Sequence, residues 1–442
     1  MNTFPFPGGV HPPDYKEPTS TELIEVAEPP QEAVIHLLQH TGAPAAPLVK
    51  VKDEVRTGQQ IGHSDSFITA SVHSSITGTV VAVEPRPHPV YGESKAVVVA
   101  NSGFDMIDYK PMNRNWQDLQ PADIISYIRQ AGVVGLGGAA FPTHLKLTPP
   151  PDKKIDVLLI NGAECEPFLT SDDRLMRERA EEVVEGIRIL KRATGATQVI
   201  VVIEDNKQLS ISSMTQALRK LEDSLNPISL CVIPTRYPQG SEKQMIYSVT
   251  GKEVPSGGLP VDIGVIVQNV GTAFAVFEAV VRNKPLYERV VTVTGDCVEN
   301  PGNFVVRIGT PFRQLVETAG GLSKEPVKII SGGPMMGIAQ YTLESAVVKG
   351  TSGIVLMSAE MAKVYEPSNC IRCGFCISHC PQQLMPQMIM KLATKEKWTE
   401  IKYQYNLMDC MECGCCAYSC PAKIPLVQWI KLAKYKTRML KI

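Results

Sequence analysis

No stretch of the chain approaches the roughly 18 consecutive apolar residues that a membrane span needs. The opening MNTFPFPGGVHPPDY also lacks the basic and apolar regions of a secretory signal, so a soluble, cytoplasmic chain is expected. An excess of charge is missing too. Lys and Arg (44) nearly balance Asp and Glu (45), and without a basic field there is no electrostatic case for a nucleic-acid partner. What is present is length: 442 residues, 44% of them hydrophobic, suffice for several cores. At the usual domain size this means about three or four domains. The 12 cysteines are not spread as in a disulfide-stapled domain, because nine fall within residues 370–420 at metal-ligand spacings, which fits a reducing compartment.

Residues 1–30 are rich in Pro and Gly without apolar periodicity and read as an extended arm lying on the surface or on a partner. From 31 to 105 the pattern becomes short Val/Ile/Thr-rich runs split by turns, the mark of a small all-β sandwich or barrel. VKDEVRTGQQIG followed by HSSITGTVVAV resembles the biotinyl/lipoyl barrel-sandwich. That family carries a modified lysine at a hairpin tip, but the matching tip here, His73-Ser74-Ser75-Ile76, has none, so a structural role is expected. Between 115 and 285, apolar runs at 157–160, 199–203, 230–233 and 263–267 alternate with helical stretches at 173–193, 207–224, 240–249 and 271–282. This predicts a largely parallel sheet with helices on its faces. Residues 286–355 read as a small α+β module, with strands at 290–294 and 303–306 and a helix near 310–319. A cysteine-rich region follows at 360–425 with a helical spacer at 384–396. The chain ends in a basic tail, 426–442, where Leu426, Ile430 and Leu432 lie near Lys431, Lys434 and Lys436. That tail suits docking on a membrane partner or anionic lipid, and equally a solvated terminal helix.

The cysteines carry the sharpest signal. Cys370-x2-Cys373-x2-Cys376-x3-Cys380-Pro381 and Cys410-x2-Cys413-x2-Cys416-x3-Cys420-Pro421 have the spacing of bacterial two-cluster ferredoxins. Three cysteines of a run hold one 4Fe–4S cluster and the fourth reaches across to the other. The expected sets are Cys370, Cys373, Cys376 and Cys420, and Cys410, Cys413, Cys416 and Cys380. Paired structural zinc sites also use C-x2-C, but they leave the repeated further cysteines and the following prolines without a purpose. Cys415, Cys165, Cys231 and Cys297 fall outside the spacing and read as bystanders.

A second signal sits at Gly135-Leu136-Gly137-Gly138-Ala139-Ala140-Phe141-Pro142-Thr143-His144-Leu145-Lys146. G-x-G-x-x-A alone is weak evidence for a dinucleotide, and a helix-like segment rather than a strand precedes it. Glycines do allow backbone to approach a phosphate closely, and Lys146 supplies charge; a plain tight turn is the other reading. Strand 157–160 runs into Asn161-Gly162-Ala163-Glu164-Cys165-Glu166-Pro167, strand 230–233 leads to Tyr237-Pro238-Gln239-Gly240-Ser241-Glu242-Lys243, and strand 263–267 leads to Gln268-Asn269-Val270-Gly271-Thr272. In a parallel sheet such strand ends share one crevice.

GLGGAAFPTHLK, NGAECEP, YPQGSEK and QNVGT resemble the FMN- and NADH-binding elements of the flavoprotein subunit of respiratory complex I. The domain order, opened by TFPFPGGVHPP and closed by two ferredoxin runs, resembles the RnfC/RsxC family of Rnf/Rsx electron-transport complexes over essentially the whole chain. The resemblance implies a multidomain α/β protein. It comprises an N-terminal β barrel-sandwich, a parallel α/β flavin domain, a soluble-ligand-binding β-grasp module and a C-terminal helical two-cluster ferredoxin domain. It implies non-covalent FMN, NAD(H) and two 4Fe–4S clusters. By motif, Gly135, Gly137 and Lys146 would contact the FMN phosphate and ribityl chain, and Asn161, Glu164, Asn269 and Thr272 would line the flavin. Phe141 would stack on NADH, Glu166 would accept ribose hydroxyls, and Gly240 and Glu242 would lie near the isoalloxazine and nicotinamide, with Glu166 and Glu242 the catalytic pair. Plainer roles stand beside these: Phe141 in a core, Glu164 or Glu166 as a helix cap, Lys146 as a solvated charge.

The function implied is that of a peripheral subunit on the cytoplasmic face of the bacterial membrane, exchanging hydride between NAD(H) and FMN and passing single electrons through its clusters. Its partners would be the membrane and cluster-carrying subunits of the same complex, with ferredoxin reached indirectly and ion translocation coupled in those partners. A soluble cobalamin reductase of the same family, or a relay that has lost its nucleotide, are the competing readings.

Overall fold

The computed structural model describes residues 3–221, 227–363 and 365–441. Strands Glu32–His36, Gly92–Asn101, Gly78–His88 and Glu54–Val55 form one small sheet, and Ala46–Pro47, Gln60–His63 and Val72–His73 a second. Between them Ile35, Leu37, Ile61, Val72, Val80 and Val97 make a dry core, the inward half of each alternating strand. The tip at 73–76 is buried, and Ser75 donates a hydrogen bond of 2.5 Å to the carbonyl of Ile308 in a later module. This hairpin is wedged into the body of the protein and has no freedom to swing.

The next unit is a four-stranded parallel sheet in the order Ile228–Ile233, Gln198–Glu204, Val157–Gly162, Val265–Asn269. Period two divides its apolar residues between opposite faces. Leu158, Ile160, Val199, Val201 and Ile266 join a core with helices Pro121–Gln130, Ala180–Thr194 and Val270–Val280. Val157, Leu159, Ile200, Val202 and Val265 pack with helix Glu242–Thr250 on the other side. The helix expected at 173–193 is two, Ser171–Glu178 and Ala180–Thr194, broken at Arg179. The strand expected at 263–267 runs instead over Val265–Asn269, because 260–263 form a 3-10 turn capped by Gly264 at φ +74°. The helix expected at 207–224 is seen as Gln208–Lys220; residues 222–224 lie outside the described residues.

A six-stranded mixed sheet follows, ordered Ile24–Val26, Gly302–Arg307, Glu288–Thr294, Gly353–Met357, Lys328–Ser331, Ile338–Gln340, with helix Phe312–Thr318 on one face. Its first strand comes from the N-terminal arm, pairing in parallel with 303–305. The arm lies along the body of its own chain, with Phe6, Val10, Lys16 and Thr19 buried against other parts and more than half of its residues exposed.

The cysteine-rich end is helical. The two runs repeat 40 residues apart, each with a short helix inside it, Phe375–Ser378 and Cys415–Tyr418, capped by a left-handed glycine, Gly374 and Gly414. The basic tail is helix Leu426–Met439, and Leu426, Ile430 and Ala433 lie on one face, buried in the core of this module with Ile389 and Ala393. Lys434 is buried as well, donating to Glu412 at 2.8 Å and to the carbonyl of Cys410. Of the tail residues expected to form a docking face, only Leu432, Lys431 and Lys436 remain exposed, because the apolar repeat faces the spacer helix. No helix among the described residues is long and apolar enough to cross a membrane.

Candidate functional site

The carboxyl ends of strands Val157–Gly162 and Val265–Asn269, with the segment 237–242, open into one cavity of about 640 Å³. Its lining includes Gly135, Gly137, Phe141, Lys146, Asn161, Glu164, Glu166, Gly240, Glu242 and Asn269. Residues 38–41 and 88–91 of the barrel-sandwich and 331–333 of the mixed sheet complete its walls. Pockets of this size and mixed polarity are the usual form of small-ligand sites.

Each polar group has a traceable position. Asn161 donates to the carbonyl of Gly240 at 2.7 Å and accepts from the amide of Ala163, tying two strand ends together. Asn269 caps helix Val270–Val280 through the amide of Thr272 and donates to Asp172 at 2.6 Å. Thr272 does not line the cavity. It is fully buried, and its hydroxyl accepts the amide of Leu136 at 2.9 Å, so it holds the glycine loop from behind. Glu164, at φ +45°, accepts the amides of Asp172 (2.8 Å) and Asp173 (3.0 Å), satisfying the first turn of helix Ser171–Glu178 from outside it, the N-cap position itself being Thr170. Glu166 accepts the amides of Met335 (3.0 Å) and Met336 (2.8 Å) from the mixed-sheet module. Lys146 and Glu242 form an ion pair at 2.6 Å, which brings them to one spot of the cavity rather than to opposite ends of a ligand.

Burial pushes the Glu166 pKa up to about 7 against the pull of the two amides. Burial and the neighbouring Glu164 charge push Asp172 up as well, opposed by the Asn269 amide. Asp172 and Cys165 are wall residues that sequence reasoning missed. Asp172 is hidden within a helix pattern, and Cys165 reads as a bystander although its Sγ accepts the amide of Gly240 at 3.3 Å.

The cavity suits a phosphorylated flavin at its glycine end. Gly138 sits at φ +105° with open space where a Cβ would stand, and the amides of Gly137, Gly138 and Ala139 make no backbone hydrogen bond to any described residue. Unclaimed amides around a left-handed glycine are an anion cradle.

The far wall includes Met411, between two cluster-type cysteines. Tyr237, 2% exposed, donates its hydroxyl to the carbonyl of Cys413 at 2.8 Å, and Gln244 donates to Pro381 at 3.3 Å. The run 410–416 is thus fastened to the cavity wall. Burial first, then the charges of Cys420, Cys370 and Cys373, push up the Cys376 thiol; Cys416 is pushed up by burial and by Cys410, Cys413 and Cys380. Cysteines of both runs thus act on one another electrostatically, Cys376 also on Cys416. Among the described residues no three or more His, Cys, Asp or Glu are gathered tightly enough for a single ion. A cubane places one iron at each thiolate and takes the wider set. Amides of Leu384 and Glu412 donate to Cys380 Sγ (3.3 Å) and Cys410 Sγ (3.4 Å), the contacts that tune cluster potential. Cys415 is fully buried beside Val10, Tyr237 and Cys413.

A strand-end cavity with an anion cradle, fastened to two cysteine runs of ferredoxin spacing, defines a flavin- and iron–sulfur-type electron-transfer protein. Known families agree in four places: the RnfC barrel sandwich hybrid domain over 4–103, the Nuo51 FMN-binding domain over 128–278, the SLBB domain over 290–339 and the 4Fe-4S dicluster domain over 369–424. The RnfC-type component of a proton-translocating ferredoxin:NAD(+) oxidoreductase complex from Clostridium ljungdahlii is 46% identical over 98% of this chain and 94% of its own length. The corresponding component of a Na(+)-translocating complex from Acetobacterium woodii is 45% identical over 97% and 96%. Its counterpart in an ion-translocating oxidoreductase complex from Pseudomonas aeruginosa is 41% identical, and there the match covers 98% of this chain but 56% of the relative. A chain of NAD+-reducing [NiFe]-hydrogenase shares the fold, with TM-score 0.53 at 17% identity over 76% of this chain and 69% of that one. The chain belongs to the RnfC family, a component of ferredoxin:NAD(+) oxidoreductase complexes.

Proposed function

We propose that this chain is the NAD(H)-facing component of such a complex, accepting or delivering hydride at FMN and passing single electrons through two 4Fe–4S clusters to partner subunits that couple the flow to ion movement. The observation that carries the reading is the shared wall: the cavity that suits a flavin is lined by Met411, and Tyr237 bonds its wall to Cys413. Bound there, FMN takes electrons as a pair and gives them up singly.

The residues divide the work. Amides of Gly137, Gly138 and Ala139 would hold the phosphate, and Thr272 fixes that loop through Leu136. Asn161 and Asn269 would orient the ring system, since each is already locked by its own bonds. Phe141 and Glu166 would hold the dinucleotide, and Lys146 with Glu242 would set the charge beside the reacting rings. The sets Cys370, Cys373, Cys376, Cys420 and Cys410, Cys413, Cys416, Cys380 would ligate the clusters. The order of units is read as arm, barrel-sandwich, flavin domain, β-grasp module and cluster module. Lacking a helix able to span a membrane, the described chain would sit peripherally, at the cytoplasmic face where NAD(H) is found.

The test is an anaerobic titration of cluster-reconstituted protein with FMN, then NADH, following flavin and cluster absorbance separately. Bleaching of flavin and then clusters upholds the reading. Roughly eight irons with no retained flavin and no bleaching would make the chain an electron relay.

A further inference from the structure

We infer that residues 3–20 form a strap that fixes the nucleotide-facing loop 164–169, with Lys16 as its anchor and as a positioning residue for dinucleotide binding; this rests on the reading of the cavity as a flavin and NAD(H) site. Lys16 is 8% exposed. Its ammonium donates to the carbonyls of Glu164 and Glu166 at 2.9 Å each and to that of Leu169, so all three of its N–H donors are taken by one loop. Burial pulls its pKa down and Lys207 adds to that, while Glu164 and Glu204 oppose.

The loop needs such an anchor. It holds two non-glycine residues in the left-handed region, Glu164 at φ +45° and Phe168 at φ +70°, a conformation that persists only where the surroundings impose it. The strap imposes it at further points: the amide of Phe168 donates to Asp14 at 2.7 Å, and Tyr15 stacks on Phe168 with ring centroids 4.8 Å apart. Glu164, Glu166 and Leu169, whose carbonyls Lys16 grips, all line the cavity, with Cys165 between the first two.

Upstream, the same segment reaches the cluster module. Val10 pairs with Tyr237, the amide of Gly9 donates to His379 at 3.0 Å, and Gly8 lies where a Cβ would stand 2.6 Å from the backbone of Cys380. One continuous strap therefore sets the loop, the wall tyrosine and the first cysteine run against each other.

The experiment compares full-length, cluster-reconstituted wild type with Lys16→Met and Tyr15→Ala. It measures NAD+ affinity by calorimetry, FMN affinity by fluorescence quenching, iron content, and the KM and kcat for NADH with ferricyanide. For Lys16→Met the NAD+ Kd and NADH KM rise about tenfold, the equivalent of one charged hydrogen bond, with kcat falling less and iron content unchanged. Tyr15→Ala moves the same quantities less. If Lys16→Met does not fold, Tyr15→Ala decides. Variants that fold and match wild type in NAD+ affinity and KM overturn the strap while leaving the cavity reading intact. A wild type that binds neither FMN nor NAD+ overturns both. Loss of iron without any change in nucleotide affinity also overturns it, since that would make the arm a support for the clusters alone.

Discussion

The ammonium of Lys146 lies 2.6 Å from a carboxylate oxygen of Glu242, and both face the cavity. Among the described residues lining the cavity, Lys146 is the one lysine or arginine, against the carboxylates of Glu164, Glu166, Asp172 and Glu242. An incoming phosphate or reduced ring must therefore compete with Glu242 for the cation. Glu242→Gln is expected to tighten FMN binding severalfold and Lys146→Met to weaken it by about tenfold, both effects shrinking as salt rises from low to physiological strength. Fluorescence titration of flavin-free protein at two salt concentrations checks this. Identical affinities for both variants and wild type would remove the pair from the flavin site.

With Glu166 in its proposed role, nucleotide binding would be proton-linked. Its folded pKa is raised from the usual 4.5 to about 7, chiefly by burial. If its carboxylate accepts ribose hydroxyls, NADH KM rises as pH falls through about 7, and Glu166→Gln has a high KM with a flat profile. The sign for stability is opposite. A raised carboxyl pKa contributes stability that is full below the unfolded value and lost as pH rises through the folded one, between about 4.5 and 7. Thermal melts across that range should therefore gain from protonating Glu166 at the same pH at which KM worsens.

The proposed crossed ligand sets predict unequal damage. Cys380→Ser should weaken the cluster of Cys410, Cys413 and Cys416, although position 380 lies in the first run. Cys420→Ser should strike the other. Iron content falling by up to about half, with loss of a different electron paramagnetic resonance signal in each variant, is the expected outcome. Loss of the same signal in both would reject the crossing.

Gly186 tests the scaffold beneath the cavity. A Cβ there would stand 1.9 Å from the carbonyl of Ala273, at the contact between helices Ala180–Thr194 and Val270–Val280. Gly186→Ala is expected to destabilise by about 1–3 kcal/mol as the helices are forced apart, read as a lower denaturant midpoint. Because Asn269 and Thr272 begin the second helix, FMN affinity should fall with it.

Much of this protein is legible in its sequence because the signals are short-range. The cysteine spacing, the glycine loop and the four apolar strand runs each lie within a few residues, where covalent geometry fixes what a chain can do. The helix expected over 173–193 starts at Ser171 with help that no local helix pattern carries: Glu164, outside the helix, accepts the amides of Asp172 and Asp173. The motif assigns Thr272 to the flavin, but its hydroxyl is spent on Leu136, a partner 136 residues away.

Residue order and type alone dictate which chemistries the chain can hold: thiolates at cubane spacing, glycine where an anion must come close, and alternating apolar strands that can only bury themselves in a layered sheet. Where these stand relative to one another is settled by packing. It puts the run 410–416 against the cavity wall through Tyr237, turns Leu426 and Ile430 inward, and draws the N-terminal arm beneath the loop 164–169 through Lys16. Those choices rest on contacts between residues far apart in the chain, where buried carbonyls and amides must find partners from whatever the fold brings near. Residue spacing does not encode that search; the packed fold completes it.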